Sequence, residues 1–420
     1  MAMVTAMVTA MDDYITNMLS VTFGPKCNKP LDYKSLDYIT NKKSIIFGPK
    51  YNKPLDSRLL SQANYKKIIF SNSELADGLF EVYEKCNLNI TNGCVSHFNQ
   101  PLANSLMNCP ALTHIIFGYW FNQPLANALN NCSSLTHIIF GHCFNNPLGN
   151  SLNKLSSLTH ITFGYCFDNP LGNSLNKLSS LTSIEFGTMF NRHLANSLNS
   201  CTSLTHITFG CNFNQLLGNS LDNCVSLTHI VFGTNFSQPL GSSLNNCTAL
   251  TYIDFGYCFN QSLGNALDNC TSLTNLTFGA YFSQPLANSL NNCTFLTHIS
   301  FGECFNQKLD LLSSVRFLKL DSYDGSYMDY LPDTIEELEL GECFNLELNN
   351  LPSSIKKIIF FRYSRYNKEL NCLPNGLSVL ELPYNYKHAI QNIPCGLTKL
   401  ICSNDYPYIN DFAGVEVKTY

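Results

Sequence analysis

The chain has 420 residues, 45% of them hydrophobic, enough to bury a continuous core and to exclude wholesale disorder. Only 13% are charged and the formal net charge is −5, which argues against the basic footprint that nucleic-acid binding requires. No apolar run approaches the roughly 20 residues of a membrane-spanning helix, so neither nucleic acid nor membrane is expected as a partner.

Residues 1–17 read as a tail. The stretch MAMVTAMVTAMDDY repeats AMVT, offers Met11 as a second start, and lacks a basic, apolar leader. No secretory signal is read, and an intracellular, cytoplasmic location is expected. Residues 18–94 carry degenerate repeats. Val21, Phe23 and Leu31 in FGPKCNKPL match Ile45, Phe47 and Leu55 in FGPKYNKPL, and Phe70 heads a third unit. Leu75, Leu79 and Tyr83 share one helical face and predict a helical interruption over about 71–88.

Residues 95–310 hold the regular repeat. Phe-Gly pairs begin at Phe117, Phe140, Phe163, Phe186, Phe209, Phe232, Phe255, Phe278 and Phe301, each 23 residues from the last. The unit is L-T-H-I-x-F-G-x-x-F-N-Q-P-L-x-N-S-L-N-N-C-x-x, as in Leu112 to Ser134. With Leu112 as position 1, apolar residues fall at 1, 4, 6, 10, 14, 18 and 21. Positions 4 and 6 have strand spacing, and Gly at position 7 marks a sharp exit from the strand. Positions 14, 18 and 21 have the spacing of a helical face. Pro at position 13, with Asn or Gln ahead of it, suits a helix start. Each unit therefore predicts a strand, a turn and a short helical or 3₁₀ segment. A unit this small buries its apolar face only by stacking on its neighbours. The expected architecture is an α/β-type solenoid, a leucine-rich-repeat-like stack of short parallel strands with short helical or 3₁₀ convex segments.

Residues 311–420 shorten the unit. Strand openers fall at Val315, Ile335, Ile355, Leu377 and Leu397, and Pro332, Pro352, Pro374 and Pro394 precede four of them. The change of length predicts a change of curvature near residue 310. The last twenty residues, from Ile401, are expected to cap the stack against edge pairing.

The signatures FNQPL (Phe98 to Leu102, Phe121 to Leu125), FNNPL (Phe144 to Leu148) and L-P-x-[ST]-I (Leu331 to Ile335, Leu351 to Ile355) resemble FNIP repeats, a leucine-rich-repeat-like family of social amoebae and giant DNA viruses. The phrase N-C-x-S-L-T-H-I (Asn131 to Ile138) is also similar to bacterial BspA-like leucine-rich repeats. FNIP proteins often carry an F-box or kinase domain; here the first FNIP-like motif begins by Phe23 and no kinase motif is present. The resemblance implies a scaffold that binds proteins. A structural or self-associating protein is one alternative, and a ubiquitin-linked adaptor in host interaction is a weaker one.

In leucine-rich solenoids generally, positions 2, 3 and 5 of the strand face the concave side. Candidate binding residues at position 3 are His114, His137, His160, His206, His229, Tyr252 and His298. At position 5 they are Ile116, Ile139, Thr162, Glu185 and Asp254, and at position 8 Tyr119, His142, Tyr165 and Tyr257. The histidine column reads as flat rings stacking beside Thr, not as a metal site, and no metal or cofactor is expected. Cys109, Cys132, Cys201, Cys224, Cys247, Cys270 and Cys293 fill position 21. Leu155 and Leu178 replace them in two units, so the slot is apolar and the thiols act as small hydrophobes. Asn at position 16 (Asn104, Asn127, Asn150, Asn173, Asn196, Asn219, Asn265, Asn288) is expected to bond inward to turn backbone. Three basic and five acidic residues lie between 95 and 300, none forming a paired-carboxylate or nucleophilic constellation, so an enzyme is not expected. The charges of the C-terminal region, Glu336, Glu337, Glu339, Lys356, Lys357, Arg362, Arg365 and Lys368, read as solvated faces of terminal rungs.

Overall fold

The computed structural model describes residues 20–23, 44–47, 51–55, 60, 66–70, 96–309, 312–322 and 331–420. The tail over 1–17 and the helical interruption expected over 71–88 lie outside them. The chain divides into two compact units, residues 1–204 and 205–420.

In the first unit, β1 (Ser20–Phe23), β2 (Ser44–Phe47), β3 (Lys67–Phe70), β4 (His114–Ile116), β5 (His137–Ile139), β6 (His160–Thr162) and β7 (Ser183–Glu185) pair in order, all parallel. The register puts each position 4 on the next: Ile115 on Ile138, and Ile138 on Ile161. In the second unit β8 (His206–Thr208), β9 (His229–Val231), β10 (Tyr252–Asp254), β11 (Asn275–Thr277), β12 (His298–Phe301) and β13 (Phe317–Leu320) continue in the same fashion. They are followed by β14 (Glu337–Leu340), β15 (Lys357–Phe360), β16 (Val379–Glu381), β17 (Lys399–Cys402) and β18 (Glu416–Thr419).

The apolar columns form the core. Leu125, Leu129, Cys132, Leu135, Ile138, Phe140 and Phe144 are each at most 3% exposed. Within a rung, the ring at position 6 stacks on the ring at position 10, as in Phe117–Phe121 at 4.2 Å. Phe117 also stacks on Phe140 of the next rung at 5.6 Å. Phe70 and Phe98 reproduce the intra-rung pair at 4.0 Å. Phe70 and Phe98 thus belong to one rung, although they are separated by far more sequence than Phe117 and Phe121. The thiols of Cys132, Cys201, Cys247 and Cys270 are fully buried, and burial pushes each up to about 12. That matches a slot that also takes leucine.

The segment opposite the strands is not helical, which corrects the expected convex helices and 3₁₀ segments. No residue of 96–309 is helical, and a short 3₁₀ turn, Ile409–Asp411, lies near the C-terminus. Residues 125–135 instead form separate turns, closed by the N–H groups of Ala128, Asn130, Cys132 and Leu135 on the carbonyls three residues back. The reason lies at position 15. Ala103, Ala126, Ala195 and Ala287 have φ of 44–48°, and Gly149, Gly172, Gly218, Gly241 and Gly264 have φ of 51–54°. A left-handed residue directly after Leu125 and its equivalents stops helical propagation. The 4-and-3 spacing of leucines serves a string of turns equally well.

Two further readings change. Asn and Gln of FNQPL do not cap a helix; they tie rungs together. Asn99 Oδ1 accepts from the Asn122 N–H at 2.9 Å and from Gln123 Nε2 at 3.1 Å. Asn122 Oδ1 accepts in the same way from Asn145 and Asn146, and Asn145 Oδ1 from Asp168 and Asn169. The position-16 asparagines, by contrast, are exposed. The inward bonds are made one residue later, where the buried hydroxyls of Ser174 and Ser197 donate to Leu171 and Leu194 carbonyls at 2.6 and 2.5 Å. The same carbonyls also accept the Ser174 and Ser197 N–H groups at 3.0 Å, while Asn127, Asn150 and Asn173 Oδ1 accept from the asparagine side chain three residues on.

In the second unit the outer strand face turns charged after β12. Lys319 pairs with Glu339, Glu337 with Lys357 at 3.2 Å, and Glu336 with Lys356 at 2.7 Å. These charges are thus cross-strand pairs and not merely solvated side chains, though at this exposure water screens each of them strongly.

Candidate functional site

The pleat decides which candidates reach solvent. Position 4 points into the core, so positions 3 and 5 point out together. His160, His206 and His298 are exposed at position 3, and His114, His137, His229 and Tyr252 are half-buried there. At position 5 Glu185 is exposed, and Ile139, Thr162 and Asp254 are half-buried. Ile116 is an exception: at 2% exposure it packs with Ile69 and Ile139 and offers no binding surface. At position 8 Tyr165 and Tyr257 are each 45% exposed, and Tyr119 and His142 are half-buried.

In the first unit these side chains form two columns of rings. His114, His137 and His160 stack at 4.3 Å between successive centroids, with interplanar angles of 8° and 6°. Tyr119, His142 and Tyr165 stack beside them at 4.4 and 4.6 Å. Trp120 meets Tyr119 edge-on and is 46% exposed. In the second unit His206 stacks on His229 at 4.4 Å and His229 on Tyr252 at 5.6 Å.

Proton accounting sets the imidazole tautomer. Thr136 Oγ1 donates its one hydrogen to the Thr113 carbonyl at 2.9 Å, and His137 Nδ1 lies 2.8 Å from the same oxygen. The hydroxyl hydrogen being committed, Nδ1 must carry the proton and donate, which leaves Nε2 as the acceptor nitrogen. The same pairs recur at Thr113–His114, Thr159–His160, Thr228–His229 and Thr297–His298. This is why position 2 is Thr throughout: its methyl and hydroxyl fit a strand edge, and its hydroxyl links one rung to the next while orienting the ring. Burial, with His137, Lys67 and His160 nearby, lowers His114 to about 4, and burial also lowers His142 and His229. His114, His142 and His229 are accordingly held in the neutral form near pH 7.

One grouping had a signal in the sequence that the column-by-column reading passed over. Position 9 is Cys on two consecutive rungs, Cys143 and Cys166, and His142 precedes the first. His142 Nδ1 lies 3.8 Å from each sulfur, and the three atoms are within 4.8 Å of one another.

No curated protein matches the chain in sequence. The profile of the BspA type leucine rich repeat region matches six copies within residues 148–243 and 219–308. Among solved structures, CroV588, a circular leucine-rich-repeat protein, superposes with TM-score 0.55 at 26% identity over 96% of this chain and 70% of its own. An internalin (inlF) of Listeria monocytogenes gives 0.54 at 15% identity over 82% and 88%. The TLR13–ssRNA13 complex gives 0.57 at 13% identity over 96% and 62%. Repeat spacing, parallel register and these likenesses agree: the chain is a leucine-rich-repeat-like solenoid protein.

Proposed function

We propose that the chain is a non-enzymatic, FNIP-type scaffold that binds a protein partner on the outer strand face of its first unit. The observation that carries this reading is the pair of stacked ring columns, His114–His137–His160 and Tyr119–His142–Tyr165, with Trp120 beside them. Aromatic side chains held rigid by stacking lose little entropy on contact and bury large area, as the centres of protein interfaces do. The absence of formal charge there favours a protein surface over a phosphate backbone. The FNIP assignment draws support from the rung-to-rung ladder that Asn and Gln of FNQPL build. An intracellular setting accords with the free, buried thiols.

End-to-end association is the second reading. The side chains of β18 are mostly exposed, but Glu416 and Lys418 on that strand oppose pairing with another edge. A photo-crosslinking residue at Tyr165 should capture a defined protein from lysate, and the same residue at Asn150, in the turns opposite the strands, should not. Equal capture at both positions would remove the outer face as the interface. Light scattering across a concentration series would reveal assembly in its place.

A further inference from the structure

We propose that His142 Nδ1, Cys143 Sγ and Cys166 Sγ form a binding site for a thiophilic d¹⁰ cation of the zinc class. Among the described residues this is the grouping of three His, Cys, Asp or Glu side chains with donor atoms close enough to share an ion.

The spacing fits. Zn–S of about 2.3 Å and Zn–N of about 2.05 Å place N and S about 3.6 Å apart at a tetrahedral angle and about 3.8 Å apart in a trigonal plane. Both N···S separations here are 3.8 Å, so the ligands need only small side-chain adjustments. The stack supplies the geometry. The Cys166 N–H donates to the His142 carbonyl at 2.9 Å, and the Cys143 N–H donates to the Tyr119 carbonyl at 2.9 Å. These bonds hold each position 9 beside the position 8 of the rung before it. The imidazole plane is clamped between Tyr119 and Tyr165 at 4.4 and 4.6 Å. Two neighbouring rungs thus deliver three donors to one point, which a single column of histidines does not.

The donor set selects the ion. Two thiolates and an imidazole suit zinc-class cations and disfavour magnesium or calcium, which take oxygen ligands. Binding would release one proton from each thiol, so a divalent ion and two thiolates leave the site without net charge. All three residues are half-buried, leaving a fourth position that water can fill. Other rungs do not repeat the set: Tyr257 precedes Cys258, and Glu303 precedes Cys304.

The test is titration of the full, reduced chain with Cd²⁺ alone and with Zn²⁺ alone. One equivalent of Cd²⁺ should produce a thiolate-to-metal charge-transfer band in the ultraviolet, and one equivalent of Zn²⁺ should abolish it by competition. Cys143→Ser and Cys166→Ser should each remove the band at one equivalent while far-ultraviolet dichroism stays unchanged. His142→Ala should weaken binding by more than the about 10–100-fold that loss of a mere outer partner costs. Cys211→Ser, Cys372→Ser and Cys395→Ser, at the exposed thiols, should leave the band intact. No band at one equivalent, a band that survives Cys166→Ser, or a band lost in the exposed-thiol variants would each overturn the site.

Discussion

The carbonyl oxygen of Gly141 lies so close to Gly164 that a methyl group on Gly164 would sit 1.9 Å from it. The same contact recurs for Gly141 against Gly118, Gly187 against Gly164, Gly233 against Gly210 and Gly279 against Gly256, each at 1.8 Å. Position 7 is therefore glycine because successive rungs touch backbone to backbone, not because the chain must turn there; of these glycines only Gly256 has positive φ, at 70°.

Gly164→Ala should destabilise the protein by about 3 kcal/mol, since the obstruction is backbone and has no rotamer to move. Gly149→Ala is the matched comparison: nothing lies within 4 Å of the added methyl group. It should cost about 1 kcal/mol, from the left-handed conformation alone. Urea unfolding of the two variants would rank them, and equal losses would refute the close-approach account.

The alanines at position 15 run the comparison in reverse. Ala103, Ala126, Ala195 and Ala287 sit at φ of 44–48° where five sister units have glycine. Replacement by glycine relieves about 1–2 kcal/mol of strain and loses about 0.4–1 kcal/mol through greater freedom of the unfolded chain. Each Ala→Gly change should thus stabilise by about 0.5–1 kcal/mol, read as a higher melting temperature.

Thr136→Val keeps the shape of the side chain and deletes its hydroxyl. It removes the bond to the Thr113 carbonyl and the acceptor for His137 Nδ1, at an expected cost of about 1 kcal/mol. The sharper readout is ¹⁵N chemical shift: His137 should lose its Nδ1–H preference in the variant, whereas the parent should show it clearly.

The pH dependence follows from His114, lowered by burial and by the charges of His137, Lys67 and His160 from 6.5 to about 4. Between those values the unfolded chain binds the proton and the folded chain does not, so stability rises with pH across this window. The contribution is complete above about pH 6.5 and is lost as pH falls toward 4. Denaturation midpoints measured from pH 7.5 down to 4 should decline less steeply in His114→Gln.

Much of the fold was legible because a stack repeats its constraints at one period. The 23-residue spacing of Ile115, Phe117, Phe121 and Leu125 states which atoms must lie over which in the next unit, and the register Ile115 on Ile138 follows. The apolar nature of position 21 was equally open, since leucine and cysteine alternate there.

Other features were decided only by the third dimension. Leu125, Leu129 and Cys132 satisfy helical spacing, yet the left-handed residue at position 15 forbids the helix, and four of the nine units show alanine there instead of a telltale glycine. Ile116 looked like surface by its place in the strand, but Ile69 and Ile139 cover it. His142, Cys143 and Cys166 converge because backbone bonds set position 9 of one rung beside position 8 of the one before, a relation between units that no single unit spells out. Sequence by itself determined the period, the strand register and the core columns, because each is a one-dimensional pattern of apolar side chains. Backbone handedness, the clearance between rungs and the meeting of side chains from different rungs were settled by tertiary structure, since each depends on distances across the stack.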